Sequence, residues 1–470
     1  MKNLLQTVFF IAGVSMIALL LPSCANMLPP SGGPRDSLPP ILVSAIPKDS
    51  AVNVNVRNIV LSFNEYITLD NWQQNLIVSP LPSQQKAPIV DYKFRNITIK
   101  LRDTLLHNTT YSFDFGNAIK DVNEGNIARN QHYVFSTGKS IDYNTYNGTL
   151  LEAETGKVDS NMVIILHRNL ADSAVSKLRP VYYTRVNGKG EFGFQNLPAG
   201  VFAVYAVSNK FSFNYTDSAD LFAYRTAPVL IGPNTSRDTL YAFHAYKLAA
   251  KPAATNTTVK PAIGVRDDKR VRFSTDLQVG EQDLLGDLNL TFNKKLVRFD
   301  STKFVLSDTN YRKIDDLHLA LDSTATKLTI TSKWKQGQPL LLIIDKEAVA
   351  DSIGTSLSKT DTIHFNVKKE TDYGSIRIRF HNLDSSRNPV LQVFQDDKEI
   401  ETTPILNNEF RRKLYRPGAY QLRILYDNNK NGIWDTGHFF GTKKQPEIVY
   451  LVPQKVAIRS NWDNEVDISL

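Results

Sequence analysis

Short β-rich segments run along nearly the whole chain, and nothing after residue 24 has the apolar period of a long amphipathic helix. Ile59-Val-Leu-Ser-Phe63, Ile97-Thr-Ile-Lys-Leu101, Tyr111-Ser-Phe-Asp-Phe115 and Tyr133-Val-Phe-Ser-Thr137 are examples, and turn residues separate them. Side chains on a strand alternate between two faces, so such segments bury one face each against a second sheet. The predicted class is all-β, built from β-sandwiches. At 470 residues the chain is too long for one core, and its length predicts three or four domains.

Internal repetition orders them. Leu61-Ser-Phe-Asn-Glu-Tyr-Ile67 recurs as Leu290-Thr-Phe-Asn-Lys-Lys-Leu296, and Ile97-Thr-Ile99 as Leu328-Thr-Ile330. Asp121-Val-Asn-Glu-Gly125 has a looser echo in Asp351-Ser-Ile-Gly354. Each of these units is followed by another kind. One reads Gly190-Glu-Phe-Gly-Phe194, Leu197-Pro-Ala-Gly200, Phe202-Ala-Val-Tyr-Ala-Val207. Its partner reads Asn408-Glu-Phe410, Tyr415-Arg-Pro-Gly418, Tyr420-Gln-Leu-Arg-Ile-Leu425. The expected organisation is a tandem array A-B-A′-B′, with A at 41–138, B at 139–247, a Pro/Ala/Thr-rich linker at 248–262, A′ at 263–369 and B′ at 370–470.

The N-terminus predicts a location. Lys2 precedes an apolar stretch from Leu4 to Leu21, and Leu21-Pro22-Ser23-Cys24 follows. Residues 1–23 have the form of a signal peptide. The lone cysteine cannot pair within its own chain, and Leu-Pro-Ser-Cys is similar to a bacterial lipobox, which implies acylation of Cys24. A plain signal peptide or membrane anchor is the alternative. Residues 24–40, rich in Pro and Gly, read as a spacer from the lipid. The net charge of +8 is spread among acids, which points to a solvated surface rather than a nucleic-acid face.

Unit A resembles a bacterial Ig-like domain of the type found in S-layer proteins. Pro39-Pro40, Pro47-Lys48-Asp49-Ser50, Leu61-Ser-Phe-Asn-Glu65, Asp121-Val-Asn-Glu-Gly125 and Phe135-Ser-Thr-Gly138 carry the resemblance. Unit B is similar to the prealbumin-like, or carboxypeptidase-regulatory-like, sandwich. The whole resembles Ig-like-domain lipoproteins of the Bacteroidota envelope. This implies an outer-membrane lipoprotein, periplasmic or surface-facing. It implies no activity, since both folds are general scaffolds.

The sharpest motif is Asp427-Asn-Asn-Lys-Asn431-Gly432-Ile-Trp-Asp435. Asp427, Asn429, Asn431 and Asp435, with the main-chain oxygen of Ile433, follow the ligand spacing of a calcium loop. His438 stands where an EF-hand has its bidentate acid, and the flank reads as a strand; Glu447 is the acid that would reach in from the next strand. The competing reading is a turn-rich hairpin loop held by Asx-type hydrogen bonds. Aromatic residues Phe211, Phe213, Tyr215 and Phe222 in unit B form either a partner-facing patch or part of the core.

Ten Asp-Ser/Thr steps followed by Ala, Ile, Leu or Thr place hydroxyls at Ser37, Ser50, Thr104, Ser173, Ser218, Thr239, Ser301, Ser323, Ser352 and Thr362. They resemble the O-glycosylation sequon of exported Bacteroidota proteins, which needs exposed turns; the alternative is that Asp-Ser and Asp-Thr start turns and strands. Catalytic motifs are missing: no His-Glu-x-x-His, nucleophile elbow, Walker or dinucleotide pattern occurs. The expectation is a non-enzymatic structural or binding protein with no cofactor unless calcium binds. Its partners would be a membrane, through the lipid, and an envelope protein or glycan. An accessory subunit of an outer-membrane machine is the first alternative, and a hydrolase or carbohydrate-processing protein with a loop-assembled site the second.

Overall fold

A computed structural model describes residues 35–208, 213–216, 220–246 and 270–470. Cys24, the signal segment, the spacer before Arg35, Phe211, Ser218 and the linker at 248–262 lie outside the described residues. The chain divides into two compact units, one ending at Asp142 and one beginning at Tyr143. Strands dominate both, and the described α-helices, Trp72–Asn75 and Ala174–Lys177, are single turns. No helix among the described residues is long and apolar enough to cross a membrane.

The first unit is module A. One sheet has the spatial order Leu42–Ile46, Asn58–Phe63, Asn96–Lys100, Ile89–Lys93. The facing sheet has Ile77–Ser79, Thr110–Asp114, His132–Ser136. Ile59, Leu61, Ile97 and Ile99 alternate inward from the first sheet and meet Phe113, Tyr133 and Phe135 from the second. A period of two apolar residues on each strand thus fills one core. Residues 36–41, read from sequence mainly as spacer, are bonded to this module. Asn126 Nδ2 donates to the carbonyls of Asp36 (3.0 Å) and Leu38 (3.2 Å), and Ile41 N donates to Asn64 Oδ1 (2.7 Å).

Module A′ repeats the plan. Phe273–Thr275, Leu288–Phe292, Lys327–Thr331 and His318–Leu321 form one sheet, in that order. Phe304–Asp308, Pro339–Ile344 and Asp361–Val367 form the other, with Glu281–Gln282 added at its edge. Leu61 and Leu290, and Ile97 and Leu328, occupy matching inward positions.

Modules B and B′ also match strand for strand, with one difference. In B, Leu221–Tyr224 pairs with Asp238–His244 and so joins the two halves into one continuous sheet. In B′ the corresponding strands, Ile448–Leu451 and Asp463–Ser469, belong to separate sheets of five and three strands. Near that unclosed corner Val449 N donates to Ala153 O of module B (2.8 Å). B and B′ are therefore in direct contact, although A′ separates them in the chain.

Candidate functional site

The loop after the strand Gly418–Tyr426 is built around buried carboxylates. Asp427 is 1% exposed. Its Oδ1 accepts the backbone N–H groups of Lys430 (2.7 Å) and Asn431 (3.3 Å), and its Oδ2 that of Gly432 (2.6 Å). Lys430 (φ 63°) and Gly432 (φ 75°) turn the backbone so that these donors point inward. Asn431 Oδ1 accepts from Ile433 N (2.7 Å), while the side-chain amides of Asn429 and Asn431 both donate to Asp435 Oδ2.

Glu447 enters from the far side, as its position in the sequence predicts, but its oxygens meet backbone. Oε1 accepts from Asn428 N (2.7 Å) and Oε2 from Asp435 N (3.0 Å). Trp434 Nε1 closes the hairpin on Glu447 O (2.7 Å). Burial raises the Glu447 pKa above its ordinary value. The Asn428 and Asp435 N–H groups oppose that shift, and the charges of Asp427 and Asp435 reinforce it. The five residues at calcium-loop spacing are thus brought together in a loop whose side-chain oxygens accept internal N–H bonds. Among the described residues no group of three or more His, Cys, Asp or Glu is placed to hold a metal ion.

The same device recurs. Asp121, 2% exposed, accepts from Glu124 N (2.6 Å), Gly125 N (2.9 Å) and Asn126 N (2.8 Å). Burial works to raise its pKa, yet these donors outweigh it and hold the carboxyl below its usual value. Asp351, its counterpart in A′, accepts from Ile353 N (3.1 Å) and Thr355 N (2.8 Å) and pairs with Lys294 Nζ (3.0 Å). In module A the position of Lys294 is held by Glu65, whose pKa is raised by burial and by the charges of Asp121, Asp36 and Glu124.

The hydroxyls of the Asp-Ser/Thr steps lie at the surface. Ser37, Ser50, Thr104, Ser173, Thr239, Ser301, Ser323 and Ser352 are exposed, and Thr362 is half-buried. Thr239 and Thr362 sit on strands rather than turns. Several of the preceding aspartates are occupied with nearby N–H groups: Asp103 with Thr104 N (2.8 Å), Asp238 with Thr239 N (3.0 Å), Asp300 with Thr302 N (3.0 Å) and Asp361 with Thr362 N (2.9 Å).

Of the described aromatic residues of unit B, Phe213 is buried against Tyr183, and Tyr215 and Phe222 are buried under module B′. Tyr215 stacks on Phe222 (3.8 Å between centroids), and Phe439 packs against Tyr205, Phe222 and Tyr224 at 4.9–5.5 Å. Around this cluster Gln445 Nε2 donates to Tyr224 O (3.0 Å), Lys443 pairs with Asp172 (2.6 Å), and Tyr224 Oη donates to His438 O (3.2 Å). Sequence reasoning found the aromatics of B but missed Phe439 and Phe440, because no period links segments more than two hundred residues apart. A second joint fixes A′ to B′: Asp283 accepts from Tyr373 Oη (2.8 Å) and Arg416 Nε (2.5 Å).

Residues 36–137 match the family described as bacterial Ig-like domain. No curated protein matches the chain. Solved structures with some similarity include the Bacillus anthracis TIE protein, at 10% identity and TM-score 0.18, covering 94% of this chain and 76% of that one. The major pilin subunit BcpA of Bacillus cereus is 10% identical at TM-score 0.17, covering 69% and 99%. The N-terminal part of the bacterial S-layer protein SbsC is 14% identical at TM-score 0.16, covering 43% and 44%. Scores this low do not establish a common arrangement of the whole chain. The family match is confined to module A, where the sequence resemblance is also strongest.

Proposed function

We propose that this chain is a non-enzymatic lipoprotein of the cell envelope. Cys24 carries the lipid, and the sandwich modules serve as a structural or adhesive scaffold toward an envelope protein or glycan. The observation that carries the reading is the use to which buried polar groups are put. Asp121, Asp351, Asp427 and Glu447 hold turns, and Asp283 holds the A′–B′ joint. A catalytic carboxylate must keep an oxygen free for substrate, and these are spent on structure. Clefts among the described residues include one of about 170 Å³ beside Pro80 and Pro82 in A, one of about 240 Å³ at the A′–B′ joint and one of about 360 Å³ beside Arg377 and Arg411 in B′.

Cys24→Ser in the native host tests the anchor. The protein should move from the membrane to the soluble fraction, and unchanged membrane fractionation removes the lipoprotein reading. Crosslinking in intact envelopes tests the role. A stoichiometric integral-membrane partner would reassign the chain as an accessory subunit of a membrane machine, a reading favoured by the built joints between its modules.

A further inference from the structure

We infer that the tip of module A at which the chain arrives from Cys24 rests in the headgroup layer of a phospholipid bilayer; this depends on the lipoprotein reading. The chain joins the module through residues 36–41, where Asn64 exchanges hydrogen bonds with Ile41: Ile41 N to Asn64 Oδ1 (2.7 Å) and Asn64 N to Ile41 O (3.1 Å). The backbone then ties three neighbouring turns to the same end. Phe63 N donates to Arg95 O (2.8 Å), Ile67 N to Phe94 O (2.9 Å) and Val122 N to Tyr66 O (3.1 Å).

These turns present Leu38, Ile41, Tyr66, Phe94 and Val122, each 51–66% exposed. Monomeric surfaces seldom gather large apolar side chains this way without a partner. The Tyr66 and Phe94 rings meet edge to face (6.1 Å), and each lies beneath a cation: Arg95 at 5.2 Å and Lys93 at 5.3 Å. Aromatic rings flanked by long basic side chains suit a membrane interface, where the ring reaches the acyl boundary and the cation stays among phosphates.

Two further observations select a bilayer as the occupant. The first is connectivity. Ten residues, 25–34, separate Cys24 from Arg35, a reach of at most about 36 Å. The strand Asn58–Phe63 leads from this tip to the opposite end of the module, where the chain leaves near Gly138 and Gly138 O accepts from Asn53 N (2.8 Å). The tether from a lipid at Cys24 therefore arrives at the tip and keeps that end of the module within its reach of the bilayer. The second is charge. Arg35, Lys93 and Arg95 are balanced by Asp36, Glu65 and Glu124. Mixed signs complement zwitterionic headgroups and give no net attraction to an anionic surface.

The test uses the full acylated chain in phosphatidylcholine vesicles. Cys24 is the sole native cysteine, so once it is acylated a thiol introduced by Val122→Cys is the only one open to a fluorophore. Lipid-borne quenchers should remove most of the emission at position 122, equally at low and high salt. A Leu106→Cys probe at the opposite end, where Leu106 O accepts from Thr137 Oγ1 (2.7 Å), should lose none. Tyr66→Ser with Phe94→Ser, both surface changes, should abolish quenching at 122 while the protein stays vesicle-bound. A vesicle-bound protein whose probe at 122 reads water overturns the tip assignment and leaves the anchor standing. A protein that stays off the vesicles overturns the anchor and the tip contact together.

Discussion

At the scale of the residue, aspartate is the fastener of this chain. A carboxylate accepting two or three N–H groups closes a turn that the backbone alone leaves open. Asp427→Ala strands three donors in a buried loop and should cost about 2–3 kcal/mol, read from the urea midpoint of the unit containing B′. Calcium should leave the wild-type melting temperature unmoved to about 10 mM, well above where weak extracellular sites fill; a rise abolished by Asp427→Ala is the contrary result. His167 is a different kind of residue. It is 2% exposed, its Nε2 has no hydrogen-bond partner, and burial pushes its pKa down to about 4 from 6.5. The unfolded chain therefore binds the proton first. The stability of the neutral form is complete above pH 6.5 and declines as pH falls toward 4, with a slope approaching about 1.4 kcal/mol per unit. His167→Phe, which keeps a ring against Tyr205, should remove this one-proton slope from the pH dependence of urea unfolding. The Asp-x-Asn-x-Asn-Gly spacing was legible as a turn with convergent oxygens, but not what those oxygens hold, since spacing specifies direction and not the donor that arrives.

At the scale of the element, the hairpin loop from Trp434 to Glu447 does two jobs. Its base is the Asp427–Glu447 lattice, and its crown carries Phe439 into the aromatic cluster of module B. Close approach is needed at the crown. A Cβ on Gly437 would stand 2.8 Å from Phe243 Cζ and 2.9 Å from Lys444 O, so Gly437→Ala must push the two modules apart. Phe439→Ala removes a ring that is 2% exposed and should cost about 3–5 kcal/mol, seen by calorimetry as loss of cooperativity between B and B′. The strands themselves were legible, because period-two alternation is local: Leu61-Ser-Phe63 and Leu290-Thr-Phe292 turn the same faces inward in both copies. The B–B′ contact was not. Tyr215 and Phe222 read as surface or core until Phe440 and Phe439 cover them.

At the scale of the whole molecule, the second unit should behave as one body held without chain continuity. A protease site inserted into the linker at 248–262 and cut should leave B and A′–B′ co-eluting, and the same cut in Phe439→Ala should release two fragments in size exclusion. Two separate peaks from the wild-type sequence would contradict the interface. The sequence by itself determined the all-β class, the duplication and the alternating order of the modules, because strand period, turn chemistry and repeats are written in neighbouring residues. Only the tertiary structure decided which aspartates are buried, which aromatics are covered and that B meets B′ across an intervening module. Those outcomes depend on contacts such as Tyr224 to His438, between residues 214 positions apart, and contact between such distant segments is chosen by shape and burial rather than by any local pattern.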